Sequence, residues 1–116
     1  MVASFDCSDP NDLLECAKLI DEGGIVIFPT DTVYGIGCDP TNELAVIRLF
    51  ELKNRPINKT LPLLTFSQNM VSKVAQISQP AKILMDKFWP GQLTLVLNSK
   101  TNKNIRLCKY VFNASN

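Results

Sequence analysis

The sequence predicts an α/β fold, in which a sheet is covered by helices, and three observations lead to it. Segments with apolar residues at helical spacing alternate with short continuous apolar runs, as expected when helices cover buried strands. Glycine and proline mark several of the boundaries between these segments. Of the 116 residues, 46% are hydrophobic and 20% are charged, which is typical of a soluble globular domain. The predicted order is helix, strand, helix, strand, helix, helix, strand.

The first predicted helix begins after Asp9 and ends at a pair of glycines. Asp9 followed by Pro10 is typical of a helix start, with the aspartate as N-cap and the proline at the first helical position. Gly23-Gly24 then provides a helix end. Apolar residues recur between these points at helical spacing, which supports the helix. They are Leu13, Cys16, Ala17 and Ile20.

A strand and a second helix are predicted next. Residues 25–28 form an apolar run that indicates a buried strand, and residues 32–37 are expected to continue extended, with glycines that allow a ligand to approach the backbone. Thr41 is predicted to cap the second helix, which should end before Pro56 because a residue that precedes proline disfavours helical geometry. The residues expected to face inward from this helix are Leu44, Ile47 and Phe50.

The second half of the chain is predicted to contain two strands and two helices. The strands are expected over 61–66 and 93–97, and the helices over 67–75 and 80–88. The segment 89–91, Trp-Pro-Gly, is interpreted as a packed corner that ends the last helix.

The last residues of the chain differ in character from the rest. Residues 98–104 are polar and linker-like, and residues 105–112 are compatible with one more strand. The chain is predicted to be a single domain over 1–116, with 98–116 as an atypical tail.

Composition limits the kinds of active site, metal site and membrane segment that this sequence can contain. A net charge of +1 gives no bulk attraction for nucleic acid, although a local basic patch remains open. The sequence has no histidine, which excludes Ser-His and Cys-His nucleophilic pairs. It also has no C-x-x-C pattern, so a zinc site is not predicted. No secretory signal or apolar run of about 20 residues is present, so we expect a cytoplasmic protein without membrane contact. Reduced and mostly buried thiols are therefore predicted for Cys7, Cys16, Cys38 and Cys108.

Three cations at the end of the second predicted helix are candidates for phosphate binding. Arg55 has a planar fork that suits paired phosphate oxygens, while Lys53 and Lys59 supply mobile point charges. The structural alternative is a solvated helix end, where cations are favoured by the helix dipole. Pro56 weakens that alternative, because it restricts the chain between Arg55 and Lys59.

Hydroxyl-bearing residues after the first strand are candidates for binding a small polar substrate. Alternate residues of an extended segment share a face, so Thr30, Thr32 and Tyr34 are expected to point the same way. They could contact the ammonium, carboxylate or hydroxyl group of an amino acid. The alternative is strand propensity alone, since threonine and tyrosine are common in strands.

Three motifs in this order resemble the YrdC-like threonylcarbamoyl-adenylate synthases. They are Phe-Pro-Thr-Asp-Thr-Val-Tyr-Gly-Ile-Gly over 28–37, Lys-x-Arg-Pro over 53–56, and Phe-Trp-Pro-Gly-Gln-Leu-Thr over 88–94. The resemblance covers about 13–97. It implies a YrdC-like twisted, mostly parallel α/β sheet with flanking helices. It also implies a domain that continues to a Ser-x-Asn motif, so this chain is interpreted as incomplete at its C-terminus.

The resemblance further implies an enzyme of tRNA modification. Such enzymes combine L-threonine, bicarbonate or CO2, and ATP into threonylcarbamoyl-AMP, with release of pyrophosphate. Mg2+ would accompany ATP, with no site made by the protein itself. A separate complex would then transfer the threonylcarbamoyl group to tRNA.

Carried over by position, the resemblance assigns roles to the candidate residues. Thr32 would contact L-threonine in a pocket shaped by Thr30 and Tyr34. Lys53 and Arg55 would act in catalysis and, with Lys59, would bind the phosphates of ATP. The chain departs from many relatives at two positions: Thr60 stands where they have proline, and Leu64 stands where they have a histidine that contacts threonine.

Two other functions remain open at this point. The first is a catalytically inactive YrdC-like module that binds double-stranded RNA or tRNA on a basic face; its affinity should fall steeply with salt. The second is a related carbamoyl-adenylate chemistry, as in hydrogenase maturation factors, although the extra segments of those proteins are absent from this sequence.

Overall fold

The computed structural model describes residues 3–30, 32–100, 105–108 and 111. The chain divides into two compact units, Met1–Pro56 and Ile57–Asn116. The elements of the described part are the helix α1 (Pro10–Asp21), the strands β1 (Val26–Phe28) and β2 (Gly35–Gly37), and the helices α2 (Glu43–Leu52), α3 (Gln68–Ser72) and α4 (Gln79–Phe88). The prediction of an α/β chain is therefore confirmed.

The helix α1 begins and ends as predicted. The Asp9 carboxylate accepts a hydrogen bond from the Asn11 backbone N–H at 2.9 Å, with Pro10 in the first turn. Gly23 ends the helix with a φ of +92°, a left-handed conformation that glycine adopts without steric cost. Its apolar residues have helical spacing, but no residue of α1 is buried and Leu13 is 52% exposed. Periodicity identifies the helix, but burial also needs a covering element.

The strands β1 and β2 form an antiparallel hairpin. The paired positions are Val26 with Gly37, Ile27 with Ile36, and Phe28 with Gly35. The predicted extended segment over 32–37 is a strand only from Gly35 onward. The mostly parallel sheet is not confirmed, since this pair is antiparallel. The reason is local: a parallel connection needs about a dozen or more residues, and only 29–34 separate these two strands.

The ring of Phe28 occupies the space above the glycines of β2. A Cβ atom at Gly35 would lie 2.9 Å from two ring carbons of Phe28, and one at Gly37 would lie 3.2 Å from a third. The glycines therefore accommodate the Phe28 side chain of the hairpin itself. This contact fixes the register of the hairpin.

The helix α2 carries the core of the first unit, with two corrections to the prediction. Its N-cap is Asn42, whose side-chain oxygen accepts from the Ala45 N–H at 3.1 Å, whereas the Thr41 hydroxyl donates to Asp39. Leu44 does not face inward, being 73% exposed. Apolar residues occupy both faces of this helix, so periodicity alone fits either orientation. The buried residues of α2 are Ala45, Val46, Leu49 and Phe50.

Polar contacts link α3 and α4 in the second unit. Gln68 donates to the Asp86 carboxylate at 2.7 Å, and the Lys82 ammonium lies 3.4 Å from it. The hydrogen bond from Gln68, with a smaller contribution from Lys82, lowers the pKa of Asp86. The helix predicted over 67–75 ends at Ser72, and the one predicted over 80–88 is confirmed. The buried residues of this unit are Val71, Ala81, Met85, Cys108 and Val111.

The strands predicted over 61–66 and 93–97 are wrong, because neither segment is a strand in the structure. Pairing occurs instead between Ala75 and Ser99, flanked by backbone hydrogen bonds of 2.9 and 2.8 Å. The segment 93–97 still alternates half-buried leucines with exposed residues, as a strand would. The apolar pattern is thus present, although none of these described residues belongs to a strand. In the tail, residues 101–104, 109, 110 and 112–116 lie outside the described part.

The predicted corner at 89–91 is held by the tryptophan. The Trp89 indole N–H donates to the Leu93 carbonyl at 2.8 Å, and the Trp89–Pro90 peptide bond is cis. A Cβ atom at Gly91 would lie 2.5 Å from the Phe88 carbonyl oxygen, so the turn requires glycine there.

The cysteines and the helices bear on two further predictions. None of the four cysteines is in a disulfide, as predicted. Only Cys108 is buried, so the prediction that most of the thiols are buried is wrong. Among the described residues, no helix combines the length and the hydrophobicity needed to cross a bilayer.

The contact between Phe28 and Gly35 predicts a diagnostic mutational effect. Alanine is ordinarily better than glycine in a strand, yet Gly35→Ala should destabilise the protein by about 1–3 kcal/mol through overpacking against the ring. The free energy of unfolding in urea measures this cost. In a Phe28→Ala background the cost of Gly35→Ala should largely disappear, and an equal cost in both backgrounds would contradict the contact.

Candidate functional site

The Thr30 hydroxyl organises the loop between β1 and β2. Its oxygen accepts hydrogen bonds from the backbone N–H groups of Val33 at 3.1 Å and of Thr32 at 3.3 Å. The same hydroxyl donates to the Val33 carbonyl. A threonine that bonds the backbone two and three residues ahead stabilises a turn. Thr30 thus holds this loop in shape.

Thr30 and Thr32 lie close together because of this turn, and not because they alternate along an extended strand as predicted. Their hydroxyl oxygens are 3.3 Å apart, and both residues are exposed. Tyr34 precedes β2 and is 75% exposed. Asp31, between the threonines, lies outside the described residues. Because Thr30 already bonds the backbone, Thr32 is the better placed of the two to offer its hydroxyl to a ligand.

The end of α2 has a defined hydrogen-bonded geometry that positions the Lys-x-Arg-Pro motif. Asn54 has a φ of +50°, the left-handed conformation. Its N–H donates to the Glu51 carbonyl at 3.1 Å, and the Arg55 N–H donates to the Phe50 carbonyl at 3.0 Å. These two bonds define a Schellman motif, in which Lys53 is the C-cap. The Lys-x-Arg-Pro motif therefore begins at the C-cap of α2, a helix that is anchored by its buried residues.

The three predicted cations differ in their surroundings. Lys53 is exposed at the C-terminus of α2, where its positive charge is favoured by the helix dipole. Arg55 is half-buried, and its Nε atom is shielded from solvent. Lys59 is exposed and belongs to the second unit. The structural alternative, in which a cation is simply solvated at a helix end, thus fits Lys53 better than it fits Arg55.

The residue that sequence reasoning missed is Asn54. The available signal was an asparagine between a helix end and an Arg-Pro pair, since asparagine is the usual substitute for glycine at the left-handed position after a helix.

The side chains of this region suit binding and charge stabilisation better than proton transfer. Threonine hydroxyls can donate and accept hydrogen bonds, and a guanidinium presents a planar set of donors to phosphate or carboxylate oxygens. Within the described ranges, no group of three His, Cys, Asp or Glu side chains is arranged to hold a metal ion.

The role of Thr30 in the loop is testable by hydrogen exchange. Thr30→Val keeps the shape of the side chain but removes the oxygen, so the Thr32 and Val33 amides should exchange about tenfold faster. Thr30→Ser keeps the oxygen and should exchange like the unmodified chain. Thr94→Val, at another exposed threonine, is the matched control. Equal protection in Thr30→Val and Thr30→Ser would show that the hydroxyl does not organise the loop.

Comparison with known proteins identifies the family. The Sua5/YciO/YrdC family model, described as telomere recombination, matches residues 18–115. A threonylcarbamoyl-AMP synthase of Pyrococcus abyssi is 45% identical over 82 residues, which are 70% of this chain and 24% of that protein. The threonylcarbamoyl-AMP synthase of Bacillus subtilis is 39% identical over 97 residues, which are 80% of this chain and 27% of that protein.

A solved structure gives the same result. The crystal structure of Pyrococcus abyssi Sua5 complexed with L-threonine matches with a TM-score of 0.68 at 38% identity, over 72% of this chain and 25% of that one. The chain thus spans about a quarter of the length of each of these relatives. Their names favour the synthase over the RNA-binding module. Since the family model matches well over half of the sequence, this chain belongs to the Sua5/YciO/YrdC family.

Proposed function

We propose that this chain has threonylcarbamoyl-AMP synthase activity, with threonine bound at the loop between β1 and β2 and the phosphates of ATP bound at the end of α2. The proposal is supported by two structured features of the first unit, the loop organised by Thr30 and the capped end of α2. Relatives that share 39–45% of the aligned residues are named for this activity.

The loop between β1 and β2 suits the amino-acid substrate. A solved relative at 38% identity binds L-threonine. In this chain the exposed Thr32 hydroxyl would contact the substrate, while Thr30 keeps the loop in shape and Tyr34 forms one side of the pocket. Threonine carries an ammonium, a carboxylate and a hydroxyl group, and each can pair with a hydroxyl of the protein.

The end of α2 suits the phosphates of ATP. Arg55 would bind paired phosphate oxygens, because its guanidinium is planar and its stem is half-buried and thus restricted in motion. Lys53 and Lys59 would add mobile positive charge. Mg2+ would enter as the Mg–ATP substrate, with oxygen ligands from phosphates and water.

The reaction requires no histidine from this chain, which contains none. The amine of threonine adds to CO2 and loses a proton, which gives a carbamate with an anionic oxygen. That oxygen forms a bond to the α-phosphorus of ATP while the bond from this phosphorus to the bridging oxygen breaks, and pyrophosphate leaves. The nucleophile already carries its charge, so the main tasks of Lys53 and Arg55 are to align the reactants and to stabilise the phosphate charge.

The proposal also covers the setting of the reaction. The product would pass to a separate complex that transfers the threonylcarbamoyl group to tRNA, and the protein would act in the cytoplasm. The mostly parallel twisted sheet is proposed for the complete family domain, of which this chain covers a part. The support for these statements is the family membership.

Pyrophosphate release tests the proposed activity. The full chain, supplied with Mg–ATP, should release pyrophosphate only when both L-threonine and bicarbonate are present. Omission of either should reduce the rate to background, because the carbamate nucleophile cannot form. A rate that does not respond to threonine, or no release under any condition, would contradict the proposal.

Replacement of Arg55 tests the phosphate-binding role. Arg55→Ala should lower kcat/KM for ATP by about 100-fold, the usual scale for loss of a group that stabilises developing charge. Arg55→Lys should recover only part of this loss, since lysine lacks the planar fork. Arg48→Ala, at an exposed arginine of the same helix, is the matched control and should retain full activity. Unchanged turnover in Arg55→Ala would exclude the assigned role.

A further inference from the structure

We infer that Asn54 is a positioning residue for Arg55: its left-handed backbone closes the end of α2 and thereby sets the direction in which Arg55 leaves the helix. The inference rests on the proposed function, since Arg55 is there assigned to the phosphates of ATP. It adds a residue that neither the sequence motif nor the family resemblance singled out.

The geometry at Asn54 is specific. With a φ of +50° it is the only residue other than glycine, among those the structure describes, that has a positive φ. Its N–H bonds the Glu51 carbonyl at 3.1 Å. Only in this conformation can the next residue reach back five positions, so that the Arg55 N–H bonds the Phe50 carbonyl at 3.0 Å.

The Schellman motif also occurs at the end of α1, where glycine has the left-handed conformation that Asn54 has in α2. At the end of α1, Gly23 has a φ of +92° and donates to the Ile20 carbonyl at 3.0 Å, and Gly24 donates to the Leu19 carbonyl at 2.7 Å. Gly23 thus occupies the position equivalent to Asn54. Asparagine tolerates the left-handed conformation better than most residues that have a Cβ atom. It also has fewer accessible backbone conformations than glycine.

Arg55 is consequently restricted on both sides. Its backbone is bonded to Phe50, which is 3% exposed and belongs to the core of the first unit. The following Pro56 limits the backbone of Arg55 to extended conformations. A cation held in this way loses little conformational freedom when it binds a phosphate. Asn54 therefore acts on ATP affinity through the arrangement of Arg55 and not by contact with the nucleotide.

The experiment combines two measurements on the full chain. Calorimetric titration with Mg–ATP, without threonine, gives the affinity, and amide hydrogen exchange of Arg55 reports closure of the helix end. Asn54→Ala should accelerate the exchange and weaken Mg–ATP binding by about fivefold, since alanine disfavours the left-handed conformation and fewer molecules are binding-competent. Asn54→Gly, which fits the motif as Gly23 does, should bind within about twofold of the unmodified chain. L-Threonine affinity should not change in either variant.

Controls separate this inference from the proposed function. Asn11→Ala, at an exposed asparagine in the first turn of α1, should leave both measurements unchanged. If Asn54→Ala does not fold, Asn54→Ser replaces it, with the same expected direction. If the unmodified chain binds no Mg–ATP, the proposed function fails and the inference fails with it. If the unmodified chain binds Mg–ATP but Asn54→Ala binds it equally well, or Asn54→Gly loses as much affinity as Asn54→Ala, the positioning role is wrong while the proposed function stands.

Discussion

The contact of the Phe28 ring with two glycines is the constraint on which the first unit depends. The ring lies across Gly35 and Gly37, so the paired strands can adopt only the register in which those positions lack a Cβ. The register in turn fixes the two ends of the loop 29–34. Within that loop the Thr30 hydroxyl bonds the backbone of Val33, and Thr32 is held beside it. A packing contact between apolar groups thus determines where a polar substrate could be bound.

Both parts of the proposed site are held by hydrogen bonds to backbone groups and not by buried ionic groups. The hydroxyl of Thr30 supports one loop, and the two bonds of the Schellman motif support the other. Side-chain charges remain at the surface or half-buried, as with Lys53 and Arg55. This division suits chemistry in which the substrates carry most of the charge, because a rigid backbone can align phosphates without the desolvation cost of a buried ion pair.

The sequence predicts features of this fold that depend on neighbouring residues. The cap at Asp9 and the helix end at Gly23 are local, and both are found in the structure, whereas the cap predicted at Thr41 is one residue away, at Asn42. Strands depend on distant partners, and the segments 61–66 and 93–97 show an apolar pattern without strand pairing. Periodicity also failed to choose between the two apolar faces of α2, where Leu44 is exposed and Val46 is buried.

The candidate site follows the same division. The residue types in the Lys-x-Arg-Pro and Thr-x-Thr motifs indicate phosphate and amino-acid chemistry because the functional groups can be read from the sequence. Their arrangement could not be read in this way. Thr30 and Thr32 meet through a turn, and Arg55 is directed by a left-handed residue, so both depend on backbone conformations that strand or helix periodicity does not describe.

The position of Trp89 has a practical consequence for spectroscopy. It is the only tryptophan of the chain, it belongs to the second unit, and its indole N–H is hydrogen-bonded to Leu93. Intrinsic tryptophan emission therefore monitors the environment of the second unit, whereas the threonine loop and the end of α2 belong to the first. Tryptophan fluorescence can accordingly follow the second unit without the introduction of any label, separately from measurements on Thr32 and Arg55 in the first unit.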